Sequence, residues 1–299
     1  MPSALFLAKA RYQNERKGKN MGNTNIYKPE LMEVTDIIDE TMDTRTFRLQ
    51  FKDKELAKNF SFKAGQFGEY SMFGEGESTF CIASSPTRLE YIECSFKQIG
   101  KVTSSMRRLS VGDTIGFRGP YGNYFPVEEM KGKNVLFIAG GIGLAPVRCV
   151  IWNVLDLRNE FKDITIVYGA RSFKDLVYKR ELKEWKERTD IKTVVTLDPG
   201  GEVPDWDGEI GFVPAIVEKT APKSENTVAI VCGPPIMIKF TIPVLTKLGF
   251  KEENIITTLE NRMKCGLGKC GRCNVGNVYV CKDGPVFTYA QLKELPQEF

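Results

Sequence analysis

Between Leu31 and Arg118 the apolar and polar positions alternate in short runs. Thr46-Phe47-Arg48-Leu49-Gln50-Phe51 and Tyr91-Ile92-Glu93-Cys94-Ser95-Phe96 both show the period of two expected of half-buried strands. Turn signals such as Lys63-Ala64-Gly65 and Val111-Gly112-Asp113 separate the runs. Short strands at this spacing predict an antiparallel β-barrel over 28–128, interrupted by one helical stretch near Thr103–Leu109. From Asn134 the rhythm changes. Val135–Ala139 is continuously apolar, as a strand covered on both faces would be. A helix over Leu144–Leu157, a strand over Ile164–Tyr168, a helix over Leu176–Arg188 and a strand over Ile191–Thr196 follow. Then come a helix over Val213–Glu218, a strand over Val228–Cys232, a helix over Ile236–Leu248 and a strand over Ile255–Leu259. This alternation predicts a doubly wound parallel sheet over 129–259. The linker between the two domains is expected at Val127–Lys133, and a small third unit over 260–299.

Composition narrows the chemistry. The chain of 299 residues carries a net charge of +4 with no dense basic stripe, which argues against nucleic-acid binding. No stretch approaches 18 consecutive apolar residues, so no membrane span is expected. Histidine is absent. That removes histidine bases, Ser-His triads, zinc sites with His ligands and Rieske-type clusters, and points toward chemistry supplied by a cofactor. Residues 1–27 read as an extension. Its apolar run Ala4–Ala8 precedes its cations, the wrong order for a secretory signal, and a solvated tail or a partner-binding arm is expected.

The eight cysteines fall into two groups. Cys81, Cys94, Cys149 and Cys232 are scattered through predicted strands and helices. Cys265, Cys270, Cys273 and Cys281 are spaced C-x4-C-x2-C-x7-C, and the first three match the plant-type ferredoxin pattern of a [2Fe–2S] cluster. Gly266, Gly268 and Gly271 lie between them, where positive φ angles can turn backbone N–H groups toward sulfur. A four-cysteine zinc knuckle is the alternative, although zinc prefers two CxxC-like pairs. The distribution of thiols suits a reducing cytoplasm better than a secreted disulfide protein.

Gly140-Gly141-Ile142-Gly143 follows a predicted strand and opens a helix, the setting of a pyrophosphate turn. A glycine turn made only for packing is the alternative for this loop taken alone. Cys232-Gly233-Pro234-Pro235 ends a later strand, and in open parallel sheets ligands bind beyond the carboxyl ends of strands. NADP needs a cation for its 2′-phosphate, whereas an acid favours the 2′-hydroxyl of NAD. Asp198, after the third strand of the sheet, favours NAD(H) over NADP(H), while Arg171 and Lys174 argue the other way.

The motifs Ser78–Ser85, Gly100-Lys101-Val102-Thr103, Gly119-Pro120-Tyr121-Gly122-Asn123, Gly140–Pro146, Tyr168-Gly169-Ala170-Arg171 and Cys232–Pro235 occur in the order found in the ferredoxin–NADP reductase superfamily, which the chain resembles over Leu31–Leu259. With Leu259–Cys273 and Cys281–Phe287 added, the whole chain resembles the family of sulfhydrogenase gamma subunits and anaerobic sulfite reductase B subunits. The resemblance implies an FAD-binding barrel followed by a nucleotide-binding α/β domain. It implies that Phe80 lies against the isoalloxazine, with Ile82 beside it. Cys81 stands where Ser or Thr commonly meets flavin N5. Ser84 and the turn of Gly100, Val102 and Thr103 would hold the flavin pyrophosphate. Gly140, Gly141 and Gly143, with Ala170 and Arg171, would hold the dinucleotide. Cys232, with Gly233 and Pro234, would approach the nicotinamide, making Cys232 and Cys81 the catalytic candidates. One departure is Ser78, where the superfamily often carries an Arg to the pyrophosphate. The implied function is an electron-transfer subunit between NAD(P)H and a partner redox subunit of a hydrogenase, sulfite reductase or heterodisulfide-reductase-like complex. A free-standing reductase, a dihydroorotate dehydrogenase-type electron-transfer subunit, and a nucleotide-sensing module with a structural zinc tail are the other readings.

Overall fold

The computed structural model describes residues 25–296. The expected N-terminal arm up to residue 24 lies outside them. Six strands, β1 (Glu30–Asp39), β2 (Thr44–Phe51), β3 (Phe67–Met72), β4 (Gly76–Cys81), β5 (Ile92–Lys97) and β6 (Thr114–Tyr121), form an antiparallel sheet in the order β4-β3-β6-β1-β2-β5. The edge strands β4 and β5 share no ladder. Phe80 of β4 and Phe96 of β5 close the seam instead, their rings 6.1 Å apart, and Tyr70 packs on Phe80 and on Phe117 within the barrel. Two short helices decorate it, α1 (Lys54–Asn59) and α2 (Lys101–Met106). The pattern of apolar positions missed α1 because it buries nothing; the Asp53 side chain makes it by accepting the N–H groups of Glu55 and Leu56.

The expected linker is not a free connection. Val127–Met130 forms a helical turn, α3, and buries Val127 and Met130 in the shared core. The second sheet follows with β7 (Asn134–Gly140), α4 (Leu144–Asp156), β8 (Ile164–Ala170), α5 (Lys179–Glu187), β9 (Lys192–Leu197), β10 (Glu209–Ile210), α6 (Val213–Thr220), β11 (Thr227–Cys232), α7 (Pro235–Lys247) and β12 (Ile255–Thr258). These strands are parallel, in the order β10-β9-β8-β7-β11-β12. The order runs outward in both directions from the β7–β11 pair, which makes their carboxyl ends a topological switch point. Helix α5 begins three residues later than its apolar pattern predicts. Tyr178 takes φ +54°, donates its N–H to Glu40 and its hydroxyl to Ser95 of the barrel, so a contact between domains decides the start. Arg148 of α4 strengthens the same interface. It is buried, and it donates to the Ala83 carbonyl at 2.9 Å, to Glu93 and to Glu181.

The C-terminal residues form the hairpin β13 (Asn274–Val275) and β14 (Val278–Tyr279), then α8 (Val280–Asp283), β15 (Val286–Thr288) and α9 (Tyr289–Lys293). They touch both larger units. Strand β15 pairs antiparallel with β12 and becomes the seventh strand of the second sheet. Cys265, Cys273, Val275, Val280 and Cys281 share a small core with Phe67 and Tyr121 of the barrel.

Candidate functional site

A cavity of about 750 Å³ lies where the three parts meet. That is within the range of ligand and cofactor sites. Strand β4 supplies one wall with Ser78, Thr79, Phe80 and Cys81; the start of α2 supplies Gly100, Lys101, Val102 and Thr103; the glycine loop supplies Ile142; and the entry to the cysteine loop supplies Glu260, Asn261 and Arg262. The turn at Gly100 is braced from within. The Thr103 hydroxyl accepts the N–H groups of Ile99 and Gly100 at 3.0 and 2.9 Å and donates to the Gly100 carbonyl. The first N–H groups of the helix that follows have no partner inside it, which leaves polar hydrogens at the cavity wall.

Two residues expected at the flavin stand behind that wall. Ile82 and Ser84 are buried, and the Ser84 hydroxyl accepts the Glu93 N–H at 3.0 Å, tying the end of β4 to β5. Ser84 is not among the residues that line the cavity. Ser78, in the place of the superfamily's Arg, does line it.

Cys81 lies on the cavity and Cys232 at the end of β11. Burial pushes both thiols up, Cys232 to about 12 against the opposing hydrogen bond from Thr258, and Glu260 adds to the effect at both. The Cys232 Sγ is 3.0 Å from the Thr258 hydroxyl. These are neutral thiols at physiological pH, fit for packing against a ring rather than for nucleophilic attack.

The two glycine turns interlock at the switch point. A Cβ on Gly143 would lie 2.6 Å from the Gly233 Cα and 2.8 Å from the Cys232 carbonyl. Gly141 has φ +54° and open space where a Cβ would be. One glycine thus lets two backbones meet, and the other leaves room over a turn that opens the 13-residue helix α4. Pro234 follows at the start of α7. Ala170 ends β8, and Arg171 and Asp198 extend from the carboxyl ends of β8 and β9, outside the cavity. Burial raises the Asp198 carboxyl, and the nearby Arg171 partly offsets this.

In the cysteine loop Gly266, Gly268 and Gly271 all take positive φ, between 66° and 73°. The turns aim backbone donors at sulfur. Leu267 and Lys269 N–H groups each point to Cys265 Sγ at 3.4 Å, Gly268 N–H to Cys281 Sγ at 3.1 Å, and Cys281 N–H to Cys273 Sγ at 3.5 Å. Burial pushes the Cys265 thiol up, but the donors of Leu267, Cys270 and Lys269 outweigh it and bring it below the ordinary thiol value. Burial and the neighbouring Cys273 and Cys265 push the Cys281 thiol up, against the Gly268 N–H. Among the described residues no three such side chains are gathered around one point as a single-ion site. Four soft ligands with N–H groups already turned toward sulfur fit an iron–sulfur group. Cys265, Cys273 and Cys281 are buried; Cys270 is exposed.

Sequence reasoning missed Thr258, Glu260, Asn261 and Arg262 as cavity residues, and Arg118, which reaches from β6 to the Cys265 carbonyl at 3.2 Å. The position of Thr258, Glu260, Asn261 and Arg262 at and just past the carboxyl end of the last parallel strand was the available signal.

Comparison with known proteins agrees with this division. An oxidoreductase FAD-binding domain matches residues 31–125, an oxidoreductase NAD-binding domain 137–242, and the iron–sulfur cluster binding domain of dihydroorotate dehydrogenase B 260–293. Sulfhydrogenase 1 subunit gamma of Pyrococcus furiosus is 40% identical over 280 residues, covering 92% of this chain and 96% of its own length. A probable dihydroorotate dehydrogenase B (NAD(+)) electron transfer subunit of Methanocaldococcus jannaschii is 33% identical, covering 89% and 92%. A chain from the structure of an NADH-dependent reduced ferredoxin–NADP oxidoreductase, described for flavin-based electron bifurcation, superposes with a TM-score of 0.71 at 25% identity over 92% of this chain and 91% of that one. No described helix is long and apolar enough to cross a membrane. With its FAD-binding barrel, NAD-binding sheet and iron–sulfur tail in this order, the chain belongs to the sulfhydrogenase gamma subunit family of ferredoxin reductase-like oxidoreductases.

Proposed function

We propose that this chain is an NAD(P)H-dependent diaphorase subunit that carries electrons between NAD(H) and a partner redox subunit of a cytoplasmic complex. The observation that carries the reading is the cavity bounded jointly by β4, the glycine loop and the entry to the cysteine loop. Bound there, FAD supplies the change between two-electron hydride chemistry and single-electron transfer, and a [2Fe–2S] cluster carries single electrons. Phe80, Cys81 and the Gly100–Thr103 turn would hold the flavin. Gly140, Gly141, Gly143 and Gly233 would admit the dinucleotide, with Cys232 against the nicotinamide and Asp198 at the ribose. Cys265, Cys270, Cys273 and Cys281 would hold the cluster.

The protein's own part is geometry and exclusion of water. Hydride transfer needs no side-chain acid or base, which suits a chain without histidine and with its two candidate thiols neutral. The exposed Cys270 marks the outer edge of the cluster site. Lys264, Lys269, Arg272 and Lys282 around it are exposed, and none has an ion pair among the described residues, which suits an acidic partner surface.

Protein prepared without oxygen should contain two irons and two sulfides per chain, about one FAD, and a higher kcat/KM for NADH than for NADPH. One zinc and no iron would overturn the electron-carrier reading; a clear NADPH preference would overturn the nucleotide assignment.

A further inference from the structure

The cysteine loop is held to the barrel by one buried cation. Arg118 of β6 is 4% exposed. Its Nε and Nη2 form a two-point ion pair with Glu77 of β4 at 2.9 and 2.7 Å. The rest of the fork serves the loop. Nη1 donates to the Cys265 carbonyl at 3.2 Å and to the Tyr121 hydroxyl at 3.3 Å, and Nη2 also reaches the Lys264 carbonyl at 3.4 Å. Glu77 is itself oriented, accepting from the Ser71 hydroxyl at 2.6 Å, and it lines the cavity. A short chain of fixed bonds therefore runs from the cavity wall through Glu77 and Arg118 to the backbone of the first cluster ligand.

Neighbouring contacts hold the rest of the unit. The Asn123 side chain donates to the carbonyls of Asp283 and Val286 at 2.9 and 2.6 Å and accepts the Val286 N–H at 2.8 Å. Gly266 lies so close to Tyr121 that a Cβ would come within 2.4 Å of the ring. Burying the Arg118 guanidinium against the half-buried Glu77 is costly in desolvation, and an apolar pair could fill the same space. What an apolar pair cannot do is donate to two successive carbonyls of a loop from another domain while held by a carboxylate behind.

We propose that Arg118 is a positioning residue that fixes the Lys264–Cys265 backbone against the cavity wall and so sets the gap that electrons cross between flavin and cluster. This rests on the electron-carrier reading above. The planar fork is the essential part: lysine keeps the charge but cannot bond the carboxylate at two points and both carbonyls at once.

The test uses the full chain loaded with flavin and cluster, in wild-type, Arg118→Met, Arg118→Lys and Glu77→Gln forms. Amide hydrogen exchange is followed over residues 264–268, and mixing with NADH separates flavin bleaching from cluster reduction. In Arg118→Met, exchange should rise and cluster reduction should slow by about tenfold or more each, while flavin bleaching stays within about twofold. Arg118→Lys and Glu77→Gln should shift both quantities in the same direction by less. Should the Met protein not retain its cluster, the Lys and Gln proteins decide. Wild-type exchange and wild-type cluster reduction in both would overturn the proposal. A wild-type protein that bleaches its flavin but never reduces a cluster would overturn the electron-carrier reading instead, and the exchange data alone would then test the clamp.

Discussion

Glu69 on β3 is a buried carboxyl with one oxygen, Oε1, left without a hydrogen-bond partner, while Oε2 accepts from Thr79 at 2.8 Å. Burial is the main influence and raises it to about 7, against opposing help from Thr79, Arg118 and Lys264, with Glu77 adding to the rise. An unfolded chain releases this proton near 4.5. Between the two values the folded state binds more protons, so this group's contribution to stability falls as pH rises from about 5 to 7. The loss levels off at about 3 kcal/mol above that window. Glu69→Gln keeps an acceptor for Thr79 and removes the titration. Thermal unfolding between pH 5 and pH 8 should therefore show a downward component in the wild type that the Gln protein lacks; equal pH slopes in the two proteins would contradict it. Nothing in the residue pattern marks Glu69, because an alternating strand does not say that both of its faces become covered. The motif around them marks Phe80, Cys81 and Ser84 alike; the first two line the cavity, while Ser84 is buried with its hydroxyl accepting the Glu93 N–H.

At the scale of elements, the crowded turns of β7 and β11 make the two glycines unequal. Alanine at Gly143 would push against backbone on the facing turn, which has no flexible end to move. Alanine at Gly141 meets nothing within 4 Å, and its left-handed backbone alone costs about 1–2 kcal/mol. Gly143→Ala should lose about 1–3 kcal/mol from overpacking and, by parting the turns, raise KM for the nucleotide. Gly141→Ala should unfold at or above the temperature of Gly143→Ala and move KM less. The reverse order in both measurements would show that the interlock is not what these glycines serve. The strand-turn-helix setting was visible in the sequence; the contact between the two turns was not, since it joins residues some 90 positions apart in a sheet whose strand order no local pattern specifies.

For the whole molecule, the tail is part of both larger units rather than an appendage. Removing residues 260–299 takes away the cavity wall at Glu260, Asn261 and Arg262, strand β15 and the carbonyl partners of Arg118. It also leaves β12 as a bare sheet edge, a site for unwanted pairing. The truncated chain should bind FAD at least about tenfold more weakly than the full chain. Full-length Cys270→Ser, altered only at an exposed ligand, should lose iron but keep its flavin. Flavin titration followed by fluorescence distinguishes them, and equal affinity in the truncated and full-length chains would show that the tail does not complete the cavity.

The sequence by itself determined the class of each part. Period-two alternation, the strand–helix rhythm and the cysteine spacing are local consequences of burial and ligand geometry, so they survive in a one-dimensional reading. The absence of histidine is likewise a property of composition, and it points to cofactor chemistry whatever the fold. Tertiary structure alone decided how the parts meet. Arg118, Arg148 and Tyr178 look like ordinary polar or aromatic residues in their segments. Each has at least one partner in another domain, and a buried hydrogen bond between residues 65 or 147 positions apart leaves no periodic trace. The cavity is the outcome of those junctions: strand β4, the glycine loop and the entry to the cysteine loop are brought to one place by long-range packing.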